Sequence, residues 1–175
     1  MKPRLVILDA DVVIHLNEIG KWDAILESYD IILPEIVAMQ EADYFDDGTG
    51  CNKTIPIQSC IEKGIIQIEH ADQSEIISIQ EKLGSTFEAN FDVHIGELEA
   101  MAVLIRYNTP ETAICTGDTA AVIALCWLDL SERIVSLESL LARCGHTASV
   151  RRNFSEEALK VKIKRASVFK IQFGT

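Results

Sequence analysis

The sequence has no long apolar run, no closely spaced cysteine pair and, over most of its length, few basic residues. Its longest uncharged apolar stretch, Ala120 to Leu128, is closed off by Asp118 and Asp129, well short of the roughly 20 residues that a membrane span requires. The N-terminal apolar segment, Leu5 to Leu8, is far shorter than a signal-peptide core. Neither export nor a membrane partner is therefore expected. Cys51, Cys60, Cys115, Cys126 and Cys144 are odd in number and include no Cys-x-x-Cys pair, which argues against a zinc or redox motif and for a reducing, cytoplasmic setting. Most of them stand among apolar neighbours, as in AICTG and ALCWL, and are expected to be core, as are Trp22 and Trp127.

The charge is unevenly placed. Residues 1–145 carry 9 Lys+Arg against 25 Asp+Glu, whereas residues 146–175 carry 7 against 2, within a formal net charge of -11. An acidic body cannot hold nucleic acid through bulk charge, because phosphate affinity normally comes from Lys and Arg displacing counterions. Any such contact must use bound cations or a local basic patch. The sequence therefore divides into an acidic domain, 1–145, and a basic C-terminal extension, 146–175, packed on the domain or projecting from it. The extension is expected to hold a helix at 155–165 and a further candidate strand; Ser155 suits its N-cap, and glutamates fill its first turn. Arg151, Arg152, Lys160 and Lys164 are its candidate nucleic-acid contacts.

What the body does contain is a repeated alternation. Arg4–Leu8, Ile31–Leu33, Ile65–Ile68, Ala113–Cys115 and Ile134–Val135 are short β-branched or apolar runs, separated by stretches with helical spacing of apolar residues. This grammar predicts an α/β fold in three layers, a central parallel sheet flanked by helices. One helix is expected over Pro34–Tyr44, with Pro34 in its first turn. Phe45–Asn52 and Gly84–Phe91 look irregular.

In an open parallel sheet ligands bind beyond the carboxyl ends of the strands, so acids there carry more weight than acids on helix faces. Asp9 directly follows an apolar strand and Asp118 follows AICTG. Carboxylates gathered at one place repel each other and retain protons unless cations neutralise them. A cluster of oxygen donors without His or Cys selects hard ions, Mg2+ or Mn2+.

Four segments, LVILDADVVIHL, LPEIVAMQEA, HIGELEAMAVL and AICTGDTAAVIAL, taken in this order over about residues 4–140, resemble the four acidic motifs of PIN-domain ribonucleases. The double acid in GELEA resembles a bacterial and archaeal subgroup. The resemblance implies a PIN-like fold in which Asp9, Glu99 and Asp118, with Glu97 beside them, hold one or two Mg2+ or Mn2+ ions for hydrolysis of RNA. It implies a catalytic set of Asp9, Glu41, Glu99, Asp118 and Thr116, the threonine orienting a carboxylate or the water. Glu99 is preferred to Glu97 by its offset from Gly96, taken as the helix cap. Asp11 stands where the family often has Asn. PIN proteins often act as toxins restrained by an antitoxin, so a small protein partner and a homodimer are also implied.

The second motif departs from the family. Its acid commonly lies six residues after the position that Pro34 holds, which is Gln40; Glu41 comes one later. One residue turns an α-helical position by about 100°, so either the helix starts differently or the acid is lost, leaving a degenerate interaction module. Asp43, Asp46 and Asp47 add negative charge that would repel RNA. Each acid also has a plain structural alternative: Asp9 and Asp118 as helix caps, Glu97 and Glu99 as first-turn acids, Glu41 as a solvated residue. His94, His15, His70 and His146 show no partner spacing. LDADVV and TGDT also fit a haloacid-dehalogenase-like phosphatase with Asp9 as nucleophile, but that family expects an aspartate four residues after Asp118, where Val122 stands.

Overall fold

The computed structural model describes residues 4–174. The chain runs β1 Leu5–Leu8, α1 Ala10–Glu18, α2 Trp22–Leu26, β2 Asp30–Pro34, a π-helical turn Val37–Glu41, β3 Tyr44–Asp46, β4 Asn52–Thr54, α3 Ile57–Glu62 and β5 Ile66–Glu69. It continues with α4 Gln73–Glu88, α5 Ile95–Arg106, β6 Thr112–Cys115, α6 Thr119–Trp127, α7 Leu137–Arg143 and α8 Glu156–Phe173, with short 3-10 turns at Ser131–Arg133 and Arg152–Phe154.

Four strands form one parallel sheet in the order β5-β2-β1-β6. Strand residues alternate between two cores, as the pleat requires. Val6, Leu8, Ile31 and Leu33 join Val13, Leu16, Ile25, Leu137 and Leu140 on one face. Ile7, Ile32 and Ile114 join Met101, Leu104, Val122 and Leu125 on the other. Burial on both faces explains why β1 and β2 at the centre are continuous apolar runs, unlike the edge strand β5, and two cores around one sheet make three layers. The chain moves outward from β1 through β2 to β5 and returns to the far side of β1 as β6, so the strand order reverses between β1 and β6. Crevices at such reversals are where α/β sheets bind ligands.

Five local expectations are corrected. Pro34 closes β2, opposite Glu69, because its fixed φ suits an extended strand end as well as a helix start. The helix after it is one π-turn, closed by Ala42 N–H donating to the Val37 carbonyl at 3.0 Å. Phe45–Asn52 lies within the β3–β4 hairpin, whose turn uses Gly48 and Gly50 at φ 82 and 81. The Gly84–Phe91 stretch is helical as far as Glu88 after a break at Gly84, φ 73; buried Phe87, packed on Phe91, Trp127 and Phe169, holds the second half in place. Ile134–Val135 contributes only a single parallel bridge, Ile114 to Ile134.

The C-terminal extension holds no strand among residues 146–174, and its helix α8 continues to Phe173. It packs on the body through Phe154, Leu159, Ala166 and Phe169, all buried, the first in one core and the others in the second. His15 stacks on Phe154 with ring centroids 5.0 Å apart, and its Nε2 accepts the Arg151 N–H at 3.1 Å. No helix among the described residues is long and apolar enough to cross a membrane.

Candidate functional site

Asp9 and Asp118 occupy equivalent places at the strand-order reversal. Each is the N-cap of the helix that follows its strand: Asp9 Oδ1 accepts the Ala10 N–H at 2.8 Å, and Asp118 Oδ1 accepts the Ala121 N–H at 2.8 Å. Capping thus engages one oxygen of each carboxylate, and the other oxygen of Asp9 accepts from Thr116. Buried Thr116 links the pair, since its hydroxyl donates to Asp9 Oδ2 at 2.8 Å and accepts the Asp118 N–H at 3.1 Å. Burial pushes the Asp9 carboxyl up to about 6 against the pull of the Thr116 hydrogen bond, with the charges of Asp11 and Glu41 adding to the rise.

Glu97 and Glu99 separate. Two residues along an α-helix are about 200° apart, so the two side chains cannot share a face. Glu97 is the one beside Asp118: burial, then the negative charge of Asp118, raise its carboxyl to about 8, with Asp9 contributing further. Its Oε2 also accepts the His94 N–H at 2.9 Å, which closes a capping box on α5. Glu99 points away and is fully buried; it accepts the Ile36 N–H at 2.8 Å and the Ala71 N–H at 3.2 Å. The cap of α5 is His94, which moves the count from Gly96 that had favoured Glu99.

Gly96 has another task. A Cβ there would stand 2.7 Å from Glu41 Oε2, so the missing side chain makes room for the Glu41 carboxylate. Burial raises the proton affinity of Glu41, His94 opposes the rise, and Asp11 and Glu99 add to it. The π-turn explains how Glu41 arrives here. A π-turn holds one residue more than an α-turn, and this extra residue offsets the one-residue lag of Glu41 behind Gln40. Such turns occur frequently at functional sites. Gln40 is exposed.

The fourth-motif loop is roofed by the C-terminal extension. Gly117 lies under Phe154, and Lys162 Nζ donates to the Gly117 carbonyl at 2.6 Å and to the Asn153 carbonyl at 3.0 Å. Burial lowers the proton affinity of Lys162, and the Asp118 charge partly restores it. Lys162 is thus a cation held close to the acids, which the sequence placed only in a basic helix. Of the candidate RNA contacts, Arg151 is committed to Glu18 at 2.6 Å and Lys160 lies 3.7 Å from Glu156. Arg152 lines a cavity of about 260 Å³ with Lys162 and Arg165, next to Thr119, and Lys164 lines a separate groove on α8. Asp46 and Asp47 accept hydrogen bonds within the hairpin turn, and Asp47 also pairs with Lys53 at 2.9 Å.

The donor set fits a hard dication. Asp9, Glu41, Glu97 and Asp118 offer only carboxylate oxygens, and the proton affinities of the first three are raised by burial first and by neighbouring carboxylate charge second. Among the described residues the one trio of ligand atoms within 4.8 Å of one another lies elsewhere, at Glu35, His70 and Glu99. Oxygen-only donors of this kind are those of Mg2+, which keeps several waters and takes few direct carboxylates.

Fold and site define a class, a three-layer α/β protein with an oxygen-only acidic site where its parallel sheet reverses strand order. Comparison with known proteins gives no match to a family model, to a curated protein or to a solved structure.

Proposed function

We propose that the chain is a PIN-like, metal-dependent endoribonuclease that hydrolyses RNA phosphodiester bonds by in-line attack of water. The observation that carries this reading is the mutual electrostatic influence of carboxylates from four separate segments: Asp9 after β1 feels Glu41 from the π-turn, and Glu97 from α5 feels Asp118 after β6 and Asp9. Their order along the chain is that of the four PIN motifs. Asp9, Glu41, Glu97 and Asp118 would hold Mg2+ or Mn2+. The bound ion would neutralise charge on the scissile phosphate and activate the attacking water.

The chain's own groups prepare the site. Thr116 fixes the orientation of Asp9, Gly96 admits Glu41, and the Lys162 amine holds the Gly117 carbonyl beside Asp118. Arg152, Lys162 and Arg165 offer a phosphate-binding flank that offsets the acidity of the body. A small antitoxin-like partner, a homodimer and a cytoplasmic location belong to the same reading. A phosphatase using Asp9 as nucleophile is less well supported, because Val122 is buried within α6 and leaves no acid four residues after Asp118.

The test is incubation of a mixture of structured and single-stranded RNA with Mn2+, comparing wild type with Asp9→Asn and Asp118→Asn. Cleavage and saturable Mn2+ binding by wild type, both lost in the variants, are expected. Equal cleavage by all three proteins would refute the assignment of the site.

A further inference from the structure

We propose that Glu35, His70 and Glu99 form a second divalent-cation site, separate from the strand-end acids and selective for a borderline transition metal of the Zn2+ type. His70 Nδ1 lies 2.9 Å from Glu35 Oε2 and 3.3 Å from Glu99 Oε1. Ligands about 2.1 Å from a metal stand about 3.0 Å apart in adjacent octahedral positions and about 3.4 Å apart in tetrahedral ones, so the two His70 separations, which are those of direct ion pairs, also admit a shared ion. All three ligand atoms fall within 4.8 Å of one another.

The trio is assembled from three parts of the fold. Glu35 follows the last residue of β2, His70 follows the last residue of β5, and Glu99 comes from the face of α5 that turns away from Asp118. These are the carboxyl ends of the two strands beyond β1, while Asp9 and Asp118 serve β1 and β6. Glu99 is fully buried and oriented by the Ile36 and Ala71 N–H groups, which is how outer-shell donors fix a ligating carboxylate. The side chains of His70 and Glu35 are 61% and 49% exposed, so the ion has a path from solvent and open positions for water. An imidazole nitrogen shifts selectivity away from Mg2+ toward Zn2+, Co2+ or Ni2+. Because Glu35 and Ile36 lead directly into the π-turn, an ion here braces the segment that carries Glu41.

The experiment is calorimetric titration of Zn2+ into metal-stripped wild type, His70→Ala, Glu35→Gln and Asp118→Asn, repeated with Co2+ while recording its visible absorption. Wild type and Asp118→Asn should bind stoichiometrically, with a Co2+ spectrum showing nitrogen ligation. His70→Ala and Glu35→Gln should bind about 100-fold more weakly, since loss of a ligand costs at least the 10–100-fold seen for outer-shell partners. Both substitutions are at exposed side chains, and equal thermal unfolding without metal establishes that the variants are folded. Zn2+ binding that is absent from wild type, or unchanged in His70→Ala, overturns the proposal. Loss of binding in Asp118→Asn with retention in His70→Ala also overturns it, by moving the ion to the strand-end acids. Failure of RNA cleavage alone leaves these readouts intact, so the two assignments fail separately.

Discussion

Replacing Gly117 with alanine tests whether the C-terminal extension is an integral roof of the acidic site. The added Cβ would stand 2.2 Å from Phe154 Cε1, 2.6 Å from its Cδ1 and 2.7 Å from Asn153 Nδ2. The asparagine amide is the end of an exposed side chain and can move, but the ring is 1% exposed and stacked on His15, so it has nowhere to swing. Overpacking of this kind costs about 1–3 kcal/mol, which for a chain of this length lowers Tm by about 2–12 °C. Phe154→Ala should cost about 3–5 kcal/mol through the cavity it leaves. In the double variant the clash has lost its partner, so Gly117→Ala should add almost nothing on the Phe154→Ala background. The coupling, about 1–3 kcal/mol, is read from a double-mutant cycle followed by urea and thermal unfolding. Strict additivity, or a Gly117→Ala variant that melts with wild type, would refute the packing described for Phe154.

Two further outcomes are expected. The carboxyls of Glu97 and Asp9 are raised from 4.5 to about 8 and from 3.8 to about 6, so the folded state binds protons that the unfolded state releases. Their contribution to stability is fully present below those unfolded values and is lost as pH rises through about 6 and then about 8. Metal-free protein should therefore melt at falling temperatures across that window, and Glu97→Gln or saturating Mn2+ should flatten the upper part; identical slopes for wild type and Glu97→Gln would contradict this. At the π-turn, Glu41→Ala should weaken Mn2+ binding by about 10-fold or more, and adding Gln40→Glu should not recover it. Recovery would mean that the segment is an ordinary α-helix with position 40 facing the site.

The sheet was legible because β1, β2 and β6 are short apolar runs buried on both faces and stopped by a turn or an acid, as in LVILD, while the half-exposed edge strand β5 still places Ile66 and Ile68 at alternate positions. Asp9 and Asp118 were legible for the same reason, being the residues at which two such runs end. Pro34 was misplaced because a fixed φ near -65° serves a strand end and a helix start alike. The π-turn has no signature in local propensity; Glu99 bonding to the Ile36 N–H and Gly96 making space for Glu41 accompany it, and both are distant in sequence. Glu99 was preferred to Glu97 by its offset from Gly96, and with His94 as the cap the acid three residues on is Glu97. His70 carried no signal, since its partners lie 35 and 29 residues away and meet it only through the parallel order of β2 and β5.

The roof over Gly117 also sets an order of events during synthesis. A growing chain released as far as residue 145 already possesses all four sheet strands and the helices that follow β1 and β6. Its Thr116–Asp118 loop, however, lacks both the Phe154 ring that covers Gly117 and the Lys162 amine that holds the Gly117 carbonyl. Domains generally fold as units, and the roof of this loop comes from a segment made after every strand. Gly117 can thus be covered only after residues 154 and 162 have emerged and docked.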